Sequence, residues 1–322
     1  MALSGTAAFL VSMLTLGAIY AILAIGLNLQ WGQTGLFNIS VAAFWGIGAY
    51  TAALVSKAGD ADTAFGWALP YLWVDVLGFP IPIPVAILVA ALVCGVVAVL
   101  IGIPTLRLRA DYLAIATLGL AETIRLIFLN EGWLTGGGTG STVNNPLIDL
   151  EYTNLTLLVI TLIVLGIVYW LAESGVRSPW GRALEAIRDD EDVAQALGKN
   201  TFSLKMQAFV IGSMIMGIAG ALTALRLNYL TPFEFIPEYT FYIWIAVIVG
   251  GSGSNRGAIL GAGFLMLLRE GPRFIADEVP SISASMAADL RFLLIGGLLM
   301  LIVTYRPQGF LGDKQLMTED TS

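Results

Sequence analysis

The chain has no histidine, one cysteine and few charges, and each shortage closes off a class of function. Without histidine the usual proton shuttle and the commonest metal ligand are missing, and no Ser/His/Asp catalytic set can be assembled. The lone cysteine, Cys94, lies inside an apolar run, so neither an intrachain disulfide nor a cysteine metal site is available. Only 12% of the 322 residues are charged, against about 25% in a soluble domain. The formal charge of −7 argues against a nucleic-acid partner. No Gly-x-x-x-x-Gly-Lys-Ser/Thr sequence occurs, so the chain has no phosphate loop with which to hydrolyse ATP by itself. The N-terminus carries no basic stretch and its apolar run is too long for a cleaved signal peptide, so none is expected.

Apolar residues make up what is there. They account for 57% of the chain, the mean hydropathy is +0.83, and several runs reach the length of a bilayer crossing. The fold class is therefore all-α, a polytopic transmembrane helical protein of about 8 spans or more. Spans are expected over Thr6–Leu29, Phe37–Val55, Val85–Ile103, Ala110–Leu129, Leu155–Leu171, Met206–Leu225 and Leu290–Thr304. Two further apolar pieces, Tyr239–Val249 and Ala258–Leu268, are each about half a crossing and flank a glycine-rich break at Gly250–Gly257, which suggests a discontinuous or re-entrant hairpin. Residues 1–305 form the membrane domain and residues 306–322 a polar tail. Lys57–Pro84, with Trp67, Tyr71 and Trp73, has the aromatic content of a loop at the membrane interface.

One densely charged island, residues 177–200, interrupts the apolar pattern. Pro179 suits a helical first turn, where its missing N–H has no partner to lose. Gly181 to Ile187 reads as a short helix with Leu184 and Ile187 on one face. Acids at 189–192 favour the start of a second short helix, which runs through Val193, Ala194 and Leu197 and stops at Gly198. An apolar stripe on two short helices in a solvated loop is built to dock something, although a loop that only sets topology would share the charge. Lysine and arginine orient the chain. With the island inside, Arg107, Arg109, Arg177, Arg182, Arg188, Lys199, Lys205, Arg256, Arg306 and Lys314 share its face. Lys57, Arg226, Arg269, Arg273 and Arg291 share the other. Island and C-terminus are then cytoplasmic and the N-terminus is outside.

Two places within the spans could carry chemistry. Glu122 and Arg125 stand three apart on one helix, either a self-neutralising pair or a lining of the pathway. Trp31–Gly35, which contains Gln33 and Thr34, breaks the first apolar segment, and Asn38 and Ser40 follow near the start of the second. Polar backbone at that depth must face protein or water, so these four are candidate pathway residues unless the break is an ordinary turn. The glycines at 257 and 261 have the spacing of close helix packing.

Gly26-Leu-Asn-Leu-Gln-Trp-Gly-Gln-Thr-Gly35-Leu followed by Phe44-Trp-Gly-Ile-Gly-Ala-Tyr-Thr51 resembles the permeases of branched-chain amino acid ABC importers, in particular the M-type subunit of the leucine/isoleucine/valine system. Ala110–Gly119 with Glu122-Thr-Ile-Arg125, the Leu134-Thr-Gly-Gly segment, Gly181–Arg188 through Ala196-Leu-Gly198, Val249–Ser254 and Tyr305–Gly312 continue the likeness in order along nearly the whole chain. The resemblance implies a prokaryotic inner-membrane subunit that moves its substrate by alternating access. Its implied partners are a related H-type permease, two cytoplasmic ATPases carrying ATP and Mg, and an extracytoplasmic binding protein, with no cofactor on this chain itself. It also makes the island the loop that couples to the ATPases, through Gly181, Arg182, Glu185, Arg188, Asp192, Ala194 and Gly198. Asp192-Val-Ala-Gln-Ala-Leu-Gly198 departs from the importer pattern Glu-Ala-Ala-x-x-x-Gly in its first two residues. Asn38-Ile-Ser-Val-Ala lacks a histidine often found there. Similar permeases move urea, short amides or small acids, so these remain alternatives to branched-chain substrates. A stand-alone ion-coupled carrier would need titratable groups within the spans beyond Glu122, and an intramembrane enzyme would need a catalytic set.

Overall fold

A computed structural model describes residues 5–56, 75–76, 79–80, 82–143, 145, 147, 153–278, 284–306 and 308–311. Among these, twelve helices follow in order. They are α1 Gly5–Gln30, α2 Val41–Ser56, α3 Pro82–Thr105, α4 Ala110–Asn130, α5 Gly132–Thr135 and α6 Thr153–Val176. Then come α7 Pro179–Asp189, α8 Glu191–Ala196, α9 Thr201–Leu227, α10 Glu238–Gly250, α11 Asn255–Glu278 and α12 Ala284–Tyr305. Two short antiparallel strand pairs complete the chain. One joins β1 (Asp75–Val76) to β2 (Phe79–Pro80). The other joins β3 (Ser141–Thr142) to β4 (Tyr229–Leu230), with Ser141 opposite Leu230.

Helices α1, α3, α4, α6 and α9 are long and apolar enough to cross a membrane. Helix α2 has 16 residues and α10 only 13. At 1.5 Å per residue neither fills a hydrocarbon layer of about 30 Å. Helix α10 stops at the glycine-rich break, with Gly251 just past its end. The second span begins at Val41 and not at Phe37, which leaves Asn38 and Ser40 in irregular backbone before it. The larger difference lies after the second break. Ala258–Leu268 is not a separate half-length piece but part of α11, which has 24 residues and contains Pro272. Arg269, Glu270 and Arg273 end the apolar pattern there, yet nothing about those residues ends a helix. The aromatic loop expected over 57–84 and the tail beyond residue 311 lie mostly outside the described residues.

The core is built around α9, whose face toward α1, α2 and α3 is buried along most of its length. Apolar attraction between helices is weak in lipid, so close backbone approach has to supply the contact. Gly48 on α2 faces Gly217 on α9 so closely that a Cβ built at Gly48 would lie 2.2 Å from the Gly217 carbonyl oxygen. A Cβ at Gly220 would lie 2.2 Å from the Trp45 carbonyl oxygen. The pair of glycines singled out by their spacing packs likewise, since a Cβ at Gly261 would sit 1.9 Å from the Ala246 carbonyl oxygen on α10. Outward-facing leucines and valines at 88, 92, 96 and 100 form a stripe along α3. Their four-residue spacing leaves one apolar face free for lipid or a second subunit.

Gly48→Ala is expected to lower the thermal midpoint of the detergent-solubilised protein, by an overpacking cost of about 1–3 kcal/mol. Gly119→Ala, where an added Cβ meets nothing within 4 Å, should hold or raise it. Equal midpoints for the two variants would contradict the close packing of α2 on α9.

Candidate functional site

The chain leaves α1 through a turn at Trp31–Thr34, and Gly35 then takes a φ of +71° that reverses its direction. Backbone groups from 35 to 42 have no helix to satisfy them, and each needs a partner in a setting without water. The Leu36 N–H donates to the Gln30 carbonyl at 2.9 Å. Thr117 Oγ1 of α4 accepts from the Ile39 N–H at 3.0 Å, and Thr240 Oγ1 of α10 accepts from the Ala42 N–H at 3.0 Å. Trp244 Nε1 donates to the Asn38 carbonyl at 3.0 Å. Asn38 ties the segment to itself: Nδ2 donates to Gln30 Oε1 at 2.7 Å, while Oδ1 accepts from the Ser40 N–H at 2.7 Å and from Ser40 Oγ at 2.5 Å. Gln30 Nε2 reaches α9, donating to the Phe209 carbonyl at 2.8 Å. Thr34 Oγ1 donates to the Gln30 carbonyl. Gln33, Thr34, Asn38 and Ser40 are therefore all buried, and the structure brings all four to one segment.

The two glycine-rich breaks meet, and nothing in the sequence reading brought them together. Asn28 Oδ1 accepts from the Gly253 N–H at 2.8 Å, Asn28 Nδ2 donates to Asn255 Oδ1 at 3.0 Å, and Gln33 Nε2 donates to the Gly253 carbonyl at 2.7 Å. Asn255 Nδ2 in turn donates to Glu173 Oε2 near the end of α6, at 3.2 Å. Gln33 Oε1 is buried and, among the described residues, has no hydrogen-bond partner. From the charged island, Arg188 Nη1 donates to the Gly32 carbonyl at 2.6 Å. One continuous network thus runs from the island through both breaks to α1, α6 and α9. Asn28 and Gln30 were legible only as two amides in an otherwise apolar helix, a signal that burial alone turns into hydrogen bonds.

The island forms the two short helices expected of it. Ser178 caps α7 with its Oγ accepting from the Trp180 N–H at 3.2 Å, and Pro179 occupies the first turn. Gly181, Leu184 and Ile187 turn inward and are buried. Asp190 caps α8 by accepting from the Val193 N–H at 2.9 Å. Ala194 is buried beneath it, and Gly198 closes it with a φ of +81° that suits glycine. Glu191 pairs with Lys205 on α9. Arg182, Asp192 and Gly198 are exposed and Glu185 is half-buried. Leu197 is 77% and Val193 54% exposed, an apolar edge facing away from the protein. Between this hairpin and the first break lies a cavity of about 280 Å3, lined by Thr34, Arg109, Arg188 and Glu191 among others.

Glu122 and Arg125 form an ion pair on α4, with Arg125 Nε donating to Glu122 Oε2 at 2.8 Å and a second contact between Nη2 and Oε1. The Glu122 side chain is 41% exposed. Neither residue hydrogen-bonds to the break, which α4 meets through Thr117 instead. Sequence reading also passed over a second cluster, Ser12, Arg226, Arg269 and Glu270, around a cavity of about 440 Å3 toward the other end of α1.

The profile of the family described as "Branched-chain amino acid transport system / permease component" matches residues 9–303. The chain is 32% identical to the high-affinity branched-chain amino acid transport system permease protein LivM of Salmonella typhimurium, over 94% of this chain and 69% of that protein. It is 33% identical to LivM of Escherichia coli over the same shares. It is 24% identical to the permease protein LivH of the same system in Salmonella typhimurium, over 94% of each chain. No solved structure matches it.

The network predicts non-additive mutants. Asn28→Ala leaves the partly buried Gly253 N–H without its acceptor, at a cost of about 1 kcal/mol. Because Asn28 and Asn255 share a bond, a double-mutant cycle of Asn28→Ala and Asn255→Ala should give a coupling energy of about 0.5 kcal/mol or more. Strict additivity of the unfolding free energies would mean that the two breaks are not joined.

Proposed function

Because the chain belongs to the family of branched-chain amino acid transport system permease components, we propose that it is the M-type membrane subunit of an ATP-driven importer of branched-chain amino acids. It is a transport subunit and not an enzyme. Residues 1–305 are the permease domain, residues 177–200 the coupling loop within it, and residues 306–322 the tail. It pairs with an H-type permease, a reading supported by its similarity to both LivM and LivH. Two ATPases that hold ATP and Mg sit under the island, and a binding protein delivers substrate on the opposite side. The excess of lysine and arginine on the island face supports a cytoplasmic island and C-terminus, an outer N-terminus, and residence in a prokaryotic inner membrane.

The observation that carries the coupling is the hydrogen bond from Arg188 to the Gly32 carbonyl. Val193 and Leu197 give an ATPase an apolar edge to grip, while Gly181, Leu184 and Ile187 fasten the same hairpin to the membrane helices. Arg182, Glu185, Asp192 and Gly198 supply the polar surround, and Ala194 holds α8 in place. A pull on α7 and α8 acts through Arg188 on the break at 31–35 and, through Gln33 and Asn28, on Gly253. Gln33, Thr34, Asn38 and Ser40 then line the path once the break parts, and the present arrangement is one with that path closed. Glu122 and Arg125 neutralise each other at its margin. The chemistry is purely conformational, an alternation between two packings of the same helices.

The decisive experiment reconstitutes the chain with its genomic neighbours in liposomes and measures ATP-dependent accumulation of labelled leucine, with urea and acetamide as competitors. Accumulation that needs ATP and is displaced by valine or isoleucine supports the reading, and displacement by urea alone defeats it. Within that system Leu197→Asp is expected to weaken ATPase co-purification without altering the thermal midpoint, since the side chain lies largely outside the protein. Ala194→Pro should cost about 3 kcal/mol locally in α8 and uncouple ATP hydrolysis from uptake. Normal assembly and stimulated hydrolysis in both variants would remove the island from the interface.

A further inference from the structure

The cavity at the far end of α1 holds charges that the coupling network does not use. Ser12 and Leu16 precede Gln30 by 18 and 14 residues, which at 1.5 Å per residue puts the cavity about 20–27 Å along α1 from the break. One wall is apolar, formed by Phe9, Met13 and Leu16. The other is ionic. Arg226, in the last turn of α9, donates to Ser12 Oγ at 3.1 Å, and among the described residues no carboxylate lies within 4.0 Å of it. Arg269 on α11 is held differently. Its guanidinium lies 5.5, 5.1 and 5.8 Å from the ring centres of Tyr20, Tyr239 and Tyr242, and it donates to the Tyr20 hydroxyl. Glu270 keeps only a long contact to Arg269, at 3.6 Å. The Arg269 and Glu270 side chains are only 15 and 17% exposed.

Charge at such a position is costly unless something uses it. Here a cation and an anion, neither closely paired, face one cavity beside an aliphatic wall. Its volume of about 440 Å3 falls in the range of about 300–1,000 Å3 usual for small-molecule sites. An α-amino acid with an aliphatic side chain presents the complement of all three features. We infer that this cavity is an outer substrate station: Arg226 takes the carboxylate as a two-pronged hydrogen bond, Glu270 takes the ammonium group, and Phe9, Met13 and Leu16 receive the side chain. Arg269 is a positioning residue, since the tyrosine cage holds it in place beside Glu270. The inference rests on the reading that the chain carries branched-chain amino acids, and adds where they first dock. The station and the island-side cavity lie at opposite ends of α1, as sites opened in turn would.

The test uses the whole importer reconstituted in liposomes with Ser12→Cys in a Cys94→Ala background, so that the only thiol on this chain lies in the cavity. A small water-soluble methanethiosulfonate should modify it, and leucine should slow the reaction severalfold. Leucinol, which lacks the carboxylate, and isocaproate, which lacks the ammonium group, should protect poorly. Arg226→Gln and Glu270→Gln should each abolish protection and raise the KM for leucine uptake, with Arg226→Lys retaining part of both. The lysine variant also guards against misreading a folding failure. Protection by leucinol equal to that by leucine, protection that survives Arg226→Gln, or a thiol that never reacts would overturn the station. So would protection by added phosphatidylglycerol without leucine, which would mark a lipid headgroup site. An importer that accumulates leucine yet shows no leucine protection refutes the station alone. One that fails to accumulate leucine refutes the substrate reading beneath it.

Discussion

Arg188 binds the Gly32 carbonyl, and the rest of the arrangement depends on that contact. A carbonyl that ends a helix inside a membrane protein has no water to accept from and no next turn to complete. Its partner comes from a surface helix 156 residues away in sequence. A charged donor is the stronger choice for this position. Because it stands on α7, the charge that satisfies the break also ties it to the exposed hairpin. Gln33, Asn28 and Asn255 continue the same logic from the first break to the second and on to Glu173.

Rigid packing on either side makes such a link useful. Gly48, Gly217 and Gly220 bring α2 and α9 to backbone contact, and Gly261 does the same for α10 and α11. Helices packed in this way resist deformation and hold the two breaks at a fixed distance from the island. At the opposite end of α1 the aromatic cage of Tyr20, Tyr239 and Tyr242 around Arg269 joins α1, α10 and α11, and fixes a charge where a solvated side chain would wander.

The local features were legible because they obey local rules. Pro179, the acids at 189–192 and Gly198 mark the ends of α7 and α8 by local chemistry that needs no distant partner, and Ser178 and Asp190 are the caps the structure adds. Glu122 and Arg125 were legible as a pair because three residues along a helix brings side chains together whatever surrounds it. The extent of α11 was not legible. Its apolar pattern fails at Arg269 and Glu270, and charge in a membrane helix resembles an end until tyrosines and a cavity are seen to accommodate it.

The sequence by itself determined the class, the rough limits of most of the apolar segments, and the charged hairpin. Those properties follow from composition and from periods of a few residues. Only the tertiary structure decided that the break after α1 meets the break after α10 and that Arg188 completes it. It alone gathered Ser12, Arg226 and Glu270 around one cavity from three helices. The physical reason is that an amide or a charge in an apolar helix must find a partner. Which partner it finds depends on how helices far apart in the chain are packed, and no local spacing encodes that.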